Sequence, residues 1–265
     1  MGFNGTNMRS YNPTSNTFGQ SCVGNTGGCL LMPFTEFNET TKPLILEYIR
    51  KWAKSSAPYG ADYVVTSNNS ANGAVMQEDW AYFYGKTGVS GRDYSSIAPG
   101  AECGGKSIIF VGNAYRNNNA PGDSTNEANS PRLPLLGLSA NVNKRADPAA
   151  TTGQTTVIAD SIKTQCSASN TILSSAENRG VYSLNWARYM KAQDITTFSI
   201  GILGPTCNDE YAAQLEKLGS ASVGGGGWYP TDDFEDLKAA FGNAISKILA
   251  VNSVFASVSL PVSVN

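Results

Sequence analysis

Two short apolar runs place the tightest constraint on the fold of this chain. Residues 106–113 have the sequence KSIIFVGN, and residues 196–203 have the sequence TTFSIGIL. Both runs are rich in β-branched residues and are bounded by polar segments, which is typical of strands buried on both faces of a parallel sheet. Parallel strands need long crossover connections, so the segments around these runs should contain helices.

Helical patterns do surround the two runs. Apolar residues recur at helical spacing in five segments, which are 42–52, 72–84, 181–193, 208–219 and 234–248. In segment 42–52 the residues predicted to face inward are Ile45, Tyr48, Ile49 and Trp52. In segment 72–84 they are Val75, Met76, Trp80 and Phe83. The run GGGGWYP at 224–230 predicts a turn followed by a short edge strand. This alternation predicts an α/β fold, with an open, mostly parallel sheet and helices on both faces.

Long polar segments interrupt this pattern. Residues 5–28 are rich in turn-forming residues and predict a loop, and the preceding MGFN has the character of a strand end. Residues 114–179 form a long insertion with little periodicity. Loops of this length are uncommon in compact domains and are usually functional or mobile.

The composition excludes several classes of function. Charged residues make up only 15% of the chain and the net charge is -2, so the basic surface of a nucleic-acid-binding protein is absent. No apolar run approaches the ~20 residues of a membrane span, and the N-terminus lacks the pattern of a signal peptide. The chain contains no histidine, no G-x-S-x-G and no G-x-G-x-x-G after a strand. We therefore expect no catalytic residues and no enzyme.

The five cysteines suggest disulfides rather than a metal knuckle, because no C-x-x-C pair occurs. Cys22 and Cys29 flank a glycine-rich loop and could close a small disulfide. Cys103 precedes one predicted strand and Cys207 follows another, so a bridge between them is plausible and would leave Cys166 over. The alternative is five unpaired thiols. A chain rich in Asn, Ser, Thr and Gly and poor in Lys also suits an extracytoplasmic bacterial surface protein.

The C-terminal part of the chain resembles a von Willebrand factor A domain. The resemblance rests on TTFSIGILG followed by QLEKLGSASVGGGGWYPTDDFEDLKAAFGNAISKIL, which has the order strand, helix, glycine-rich turn, aromatic strand and closing helix. In the same fold KSIIFVGN corresponds to a central strand and MGFN to the second strand. The resemblance implies one domain over residues 1–251, with its first strand missing and the insertion at about 114–179.

Two further stretches resemble PilY/PilC-type proteins, which are associated with type IV pili. These stretches are NWARYMKAQDI and ILAVNSVFASVSLPVSVN. The alternating apolar residues of 252–265 predict a strand, which this resemblance makes a linker towards an absent C-terminal domain.

The resemblance implies an extracellular protein of the bacterial cell surface or pilus tip. Its function would be adhesion, pilus assembly or both. Its partners would be pilus subunits, minor pilins, or host or abiotic surfaces. The alternative is a structural or mechanical spacer with no ligand of its own.

The resemblance also raises the question of a metal site. Metal-binding A domains hold a divalent ion with D-x-S-x-S, a threonine from a second loop and an aspartate after the central strand, but no D-x-S-x-S occurs here. Asn113 stands where that aspartate is expected, and Asn72 or Ser70 is the nearest counterpart of the threonine. Neutral oxygens alone bind such ions weakly, so we expect no metal and no cofactor. Mg²⁺ or Ca²⁺ would require an N-terminal D-x-S-x-S strand from elsewhere.

Overall fold

The computed structural model describes residues 9–21, 28–52, 72–88, 90–100, 105–115, 162, 166, 181–204 and 207–258. These residues fall into two compact units, the first holding the described residues up to position 100 and the second those from position 105. The predictions for MGFN, Ser70, Cys22, Cys103, most of 114–179 and residues 259–265 concern positions outside the described residues.

The first unit contains a β-hairpin that the sequence did not predict. Strands β1 (Arg9–Asn12) and β2 (Thr17–Ser21) pair antiparallel, so the loop predicted for 5–28 is wrong over this stretch. The turn is fixed by Tyr11, whose hydroxyl donates to the Asn16 side-chain oxygen at 2.8 Å. Tyr11 itself is buried, with its ring centroid 4.9 Å from that of Tyr48. A hydrogen bond in the turn and the burial of Tyr11 thus stabilise this hairpin. Its strands are too short and too polar to show the alternation of apolar and polar residues that predicts a strand.

Two helices complete the described part of this unit. Helix α1 (Thr41–Trp52) begins after Asn38, whose side-chain oxygen accepts from the backbone N–H groups of Thr40 and Thr41. It buries Ile45 and Tyr48 as predicted, but Ile49 is 43% exposed, which corrects its predicted inward position. Ile49 lies about 100° around the helix from Tyr48, at the edge of the buried stripe.

Helix α2 (Asn72–Phe83) is buried almost all round. The residues predicted to face inward, Val75, Met76, Trp80 and Phe83, are all buried. Polar residues of the same helix are buried as well, among them Gln77 and Glu78. A helix buried on every face belongs to the interior of its unit, so its polar side chains need partners there.

The second unit is built on the predicted parallel sheet. Strands β3 (Lys106–Asn113), β4 (Ile195–Ile202) and β5 (Gly225–Thr231) pair in parallel in the order β3-β4-β5. The described helices of this unit are α3 (Val181–Lys191), α4 (Asp209–Gly219) and α5 (Phe234–Val258). The described elements confirm an open, parallel α/β arrangement.

Close backbone approach determines how α4 lies on this sheet. A Cβ added at Gly112 would lie 2.5 Å from a methyl carbon of Leu215, and one at Gly219 would lie 2.1 Å from the Gly227 carbonyl oxygen. On the other side, Lys247 of α5 lies 5.4 Å from the centroid of the Tyr229 ring. Successive strand residues face opposite sides, so helices flank both faces of the sheet.

Helix α5 replaces part of the strand predicted at the C-terminus. The helix extends to Val258, so the strand predicted for 252–265 is wrong over 252–258. Extending an existing helix adds one hydrogen bond per residue without a new nucleus, whereas a strand needs a neighbour to pair with. No helix in the described part of the chain is both long and apolar enough to cross a membrane.

Candidate functional site

The carboxyl edge of the parallel sheet is the candidate binding site. The register places Asn113 beside Ile202 and Ile202 beside Thr231, so the three strands end at the same level. Two hydrogen bonds tie the segments beyond the strand ends together. The Ala114 N–H donates to the Ile202 carbonyl and the Leu203 N–H donates to the Thr231 carbonyl, each at 2.9 Å. Open α/β sheets bind ligands at this edge.

Asn113 uses its side chain to shape this edge. It is exposed at the end of β3, and its side-chain oxygen accepts a hydrogen bond from the Tyr115 N–H at 3.0 Å. This local turn directs the chain away from the sheet after the strand ends. The side-chain oxygen of Asn113 therefore already accepts one hydrogen bond within the chain.

The N-terminus of α4 lies at the same edge. Asn208 caps the helix, since its side-chain oxygen accepts from the Tyr211 N–H at 2.8 Å. The Asn208 N–H also donates to the Ala114 carbonyl at 2.9 Å, which ties the start of α4 to the chain leaving β3.

An acidic stretch with an exposed aromatic ring follows β5. Asp232 and Asp233 are exposed, and an Asp233 side-chain oxygen accepts from the Asp236 N–H at 2.9 Å. Phe234 lies between these groups and is 72% exposed. Carboxylates in the first turn of a helix are stabilised by its dipole, which explains the cluster without a ligand. Among the residues that the structure describes, no three His, Cys, Asp or Glu side chains gather in a way that could hold a metal ion.

A disulfide adjoins this edge and corrects the predicted pairing. Cys207 is bonded to Cys166, with 4.6 Å between their Cα atoms, so neither a bridge to Cys103 nor an unpaired Cys166 is present. Cys207 also forms an isolated antiparallel bridge pair with Tyr115. Cys29 is disulfide-bonded too. Spacing alone cannot give connectivity among five cysteines.

Asn72 is the other predicted metal-site position that the structure describes. Asn72 lies in the first unit and Asn113 in the second. Asn72 is 0% exposed at the start of α2.

The first unit contains a buried acidic group that the sequence analysis missed. Glu78 of α2 is 0% exposed. One of its oxygens accepts from the Ser90 hydroxyl and the Tyr94 hydroxyl, each at 2.5 Å, and the other accepts from the Ser90 N–H at 3.0 Å. Nothing in the sequence distinguishes Glu78 from a surface glutamate, because its donors lie 12 and 16 residues away.

The electrostatics of this cluster follow from its burial. Burial raises the pKa of Glu78, against the effect of its hydrogen bonds. Burial raises the pKa of the adjacent Asp79 to about 6, and the charge of Glu78 adds to that rise. The pKa of Tyr94 is raised by burial and by the neighbouring carboxylate. Since both Glu78 oxygens already have donors, the cluster is suited to holding the loop on α2 rather than to proton-transfer chemistry.

We compared this chain with protein-family models, with curated proteins and with solved structures. None of the three comparisons found a match.

Proposed function

We propose that this chain is a non-enzymatic binding module of the bacterial cell surface or pilus tip. It acts in adhesion or pilus assembly, as the resemblance to the von Willebrand factor A domain of PilY/PilC-type proteins implies. Its partners on this proposal are pilus subunits, minor pilins, or host or abiotic surfaces. Binding takes place at the carboxyl edge of the sheet, around Asn113 and Asp232.

The order of elements in the second unit carries this proposal. β3 and β4 are parallel neighbours, and β4 is followed by a helix, a glycine-rich turn, a strand and a closing helix. This is the order that the resemblance implies for the C-terminal part of an A domain. Asn113 and Asp232 are exposed there.

A direct test is binding of the purified full-length chain to type IV pilin subunits, host cells, and glass or polystyrene beads. The edge variant is Asp232→Arg, and its matched control is Asn243→Arg on the exposed side of α5. We expect the wild type to bind at least one of these targets, and the edge variant to bind about tenfold more weakly, as for a contact residue. The control variant should bind like the wild type. Equal binding by both variants, or binding to none of the targets, would contradict the proposal.

A structural spacer is the second candidate function, and one observation favours it. The side-chain oxygen of Asn113 is engaged by the Tyr115 N–H, and the Ala114 carbonyl by the Asn208 N–H. Polar groups at the edge thus already stabilise the edge itself. On this alternative the isolated chain binds none of the targets and serves to transmit force between neighbouring domains.

A further inference from the structure

Two phenylalanines of the first unit are exposed in one short segment. Phe34 is 65% exposed and Phe37 is 62% exposed, within PFTEFNE at residues 33–39. We name residues 33–39 the aromatic loop. Single exposed apolar residues are common on protein surfaces, but neighbouring large ones often mark an interaction site.

The aromatic loop packs on buried tyrosines of the first unit. The Phe34 ring stacks on the Tyr82 ring with 5.7 Å between centroids and 9° between planes, and the Phe34 N–H donates to the Tyr82 hydroxyl at 2.6 Å. Tyr82 in turn meets Tyr94 edge-on at 5.5 Å, and Tyr94 donates to the buried Glu78. A continuous network thus supports one face of Phe34 and leaves the rest of the ring in solvent.

The rest of the loop is fixed by its own hydrogen bonds. The Thr35 hydroxyl donates to the Pro33 carbonyl at 2.9 Å, and the Thr41 hydroxyl donates to the Glu36 carbonyl. The Asn38 N–H donates to the Thr41 hydroxyl at 3.2 Å. A loop ordered before binding loses less conformational entropy when a partner docks, which favours affinity.

The charge around the loop indicates the kind of partner. Glu36 and Glu39 are exposed beside the two rings. The loop itself contains no lysine or arginine, and the exposed Lys42 follows it three residues after Glu39. Neither carboxylate forms an ion pair with a described lysine or arginine. An anionic lipid surface would repel these carboxylates, whereas a cationic protein surface would attract them.

We propose that the aromatic loop is a docking site for a protein partner whose apolar cleft is rimmed by lysine or arginine. Phe34 and Phe37 enter the cleft, and Glu36 and Glu39 meet the basic rim. This inference goes beyond the proposed function, because it concerns the other unit of the chain and does not depend on a pilus.

The test selects a phage library of random dodecapeptides on the immobilised full-length chain. The selected peptides should combine apolar residues with lysine or arginine, and their binding should weaken with rising salt. Binding should fall about tenfold or more in the Phe34→Ser/Phe37→Ser variant, as for central contact residues, and more modestly in Glu36→Gln/Glu39→Gln. Both pairs are exposed, and circular dichroism checks that the variants fold.

The matched control is Leu249→Ser, which removes a similarly exposed large apolar side chain from α5 in the second unit, away from either proposed site. Its peptide binding should equal that of the wild type. Three results would overturn the proposal: acidic or uncharged selected peptides, unchanged binding in the double phenylalanine variant, or loss of binding in the control. Phe34-dependent binding of the chain to a glycan array or to phosphatidylcholine vesicles, without peptide binding, would overturn it as well.

Discussion

Two adjacent carboxyl groups on α2 should make the stability of this protein depend on pH in an unusual direction. Most carboxyl groups in folded proteins have lowered pKa values, so stability is lost as the pH falls. Burial instead raises the pKa of Asp79 from 3.8 to about 6 and also raises that of Glu78. When the pKa of a carboxyl group is higher in the folded protein than in the unfolded chain, the protonated group favours the folded state. This stabilisation is fully present at a pH below the pKa of the unfolded chain, and it is lost as the pH rises through the pKa of the folded protein.

We therefore expect the free energy of unfolding to fall by on the order of 2 kcal/mol between about pH 4 and pH 7 because of Asp79. The Asp79→Asn variant should lack most of this decrease. Urea unfolding of the wild type and the variant across this pH range measures the difference. Parallel pH profiles for the two proteins would contradict the assignment.

At the scale of the element, the segment after α2 is shaped by contacts that a single methyl group would disrupt. Tyr94 N–H donates to the Lys86 carbonyl, and Thr87 and Asp93 form a bridge pair, so this segment folds back on itself. Gly88 lies against the carboxylate of Glu78, and a Cβ added there would be 2.1 Å from its nearer oxygen. Because Gly88 has no side chain, the loop can approach the Glu78 carboxylate on α2 closely.

Gly88→Ala should lower the free energy of unfolding by about 1–3 kcal/mol, because the carboxylate must move and its hydrogen bonds must distort. Gly242 of α5 offers a matched control, since nothing lies within 4 Å of a Cβ added there. Gly242→Ala should raise stability by up to about 1 kcal/mol through helix propensity. Chemical denaturation of both variants checks the prediction, and a destabilisation of the same size in both would refute it.

At the scale of the whole molecule, the Cys166–Cys207 disulfide stabilises the second unit. It closes a loop with a sequence separation of 41 residues that contains α3 and β4. A bridge of this span limits the freedom of the unfolded chain and would limit its extension under load.

Cys166→Ala/Cys207→Ala should lower the free energy of unfolding by about 2–4 kcal/mol under oxidising conditions. In single-molecule pulling, the double variant should also release more chain length on unfolding than the wild type. The effect of reductant on the double variant separates this bridge from the one that contains Cys29. Equal stability and equal released length in the wild type and the variant would show that the bridge bears no load.

The elements of this protein were largely predictable from local patterns, whereas its site chemistry was not. The apolar runs of β3 and β4 and the helical spacing of Tyr211, Leu215 and Leu218 are visible in short windows, because burial on a strand or a helix face imposes a period. The hairpin Arg9–Ser21 has no such period, since it depends on turn contacts and on Tyr11 meeting Tyr48. The helical state of 252–258 depended on continuity with the preceding turns of α5.

By itself, the sequence determined that this chain forms a parallel α/β sheet with flanking helices and has no histidine-based chemistry, because composition and periodicity are properties of the chain alone. Only the tertiary structure decided that Glu78 is buried, that Cys207 pairs with Cys166 and that Phe34 and Phe37 stay exposed. The burial of Glu78 and the cysteine pairing depend on residues far apart in sequence coming within a few ångströms, and such contacts produce no periodic pattern along the chain. The exposure of the two phenylalanines likewise depends on how the rest of the chain packs.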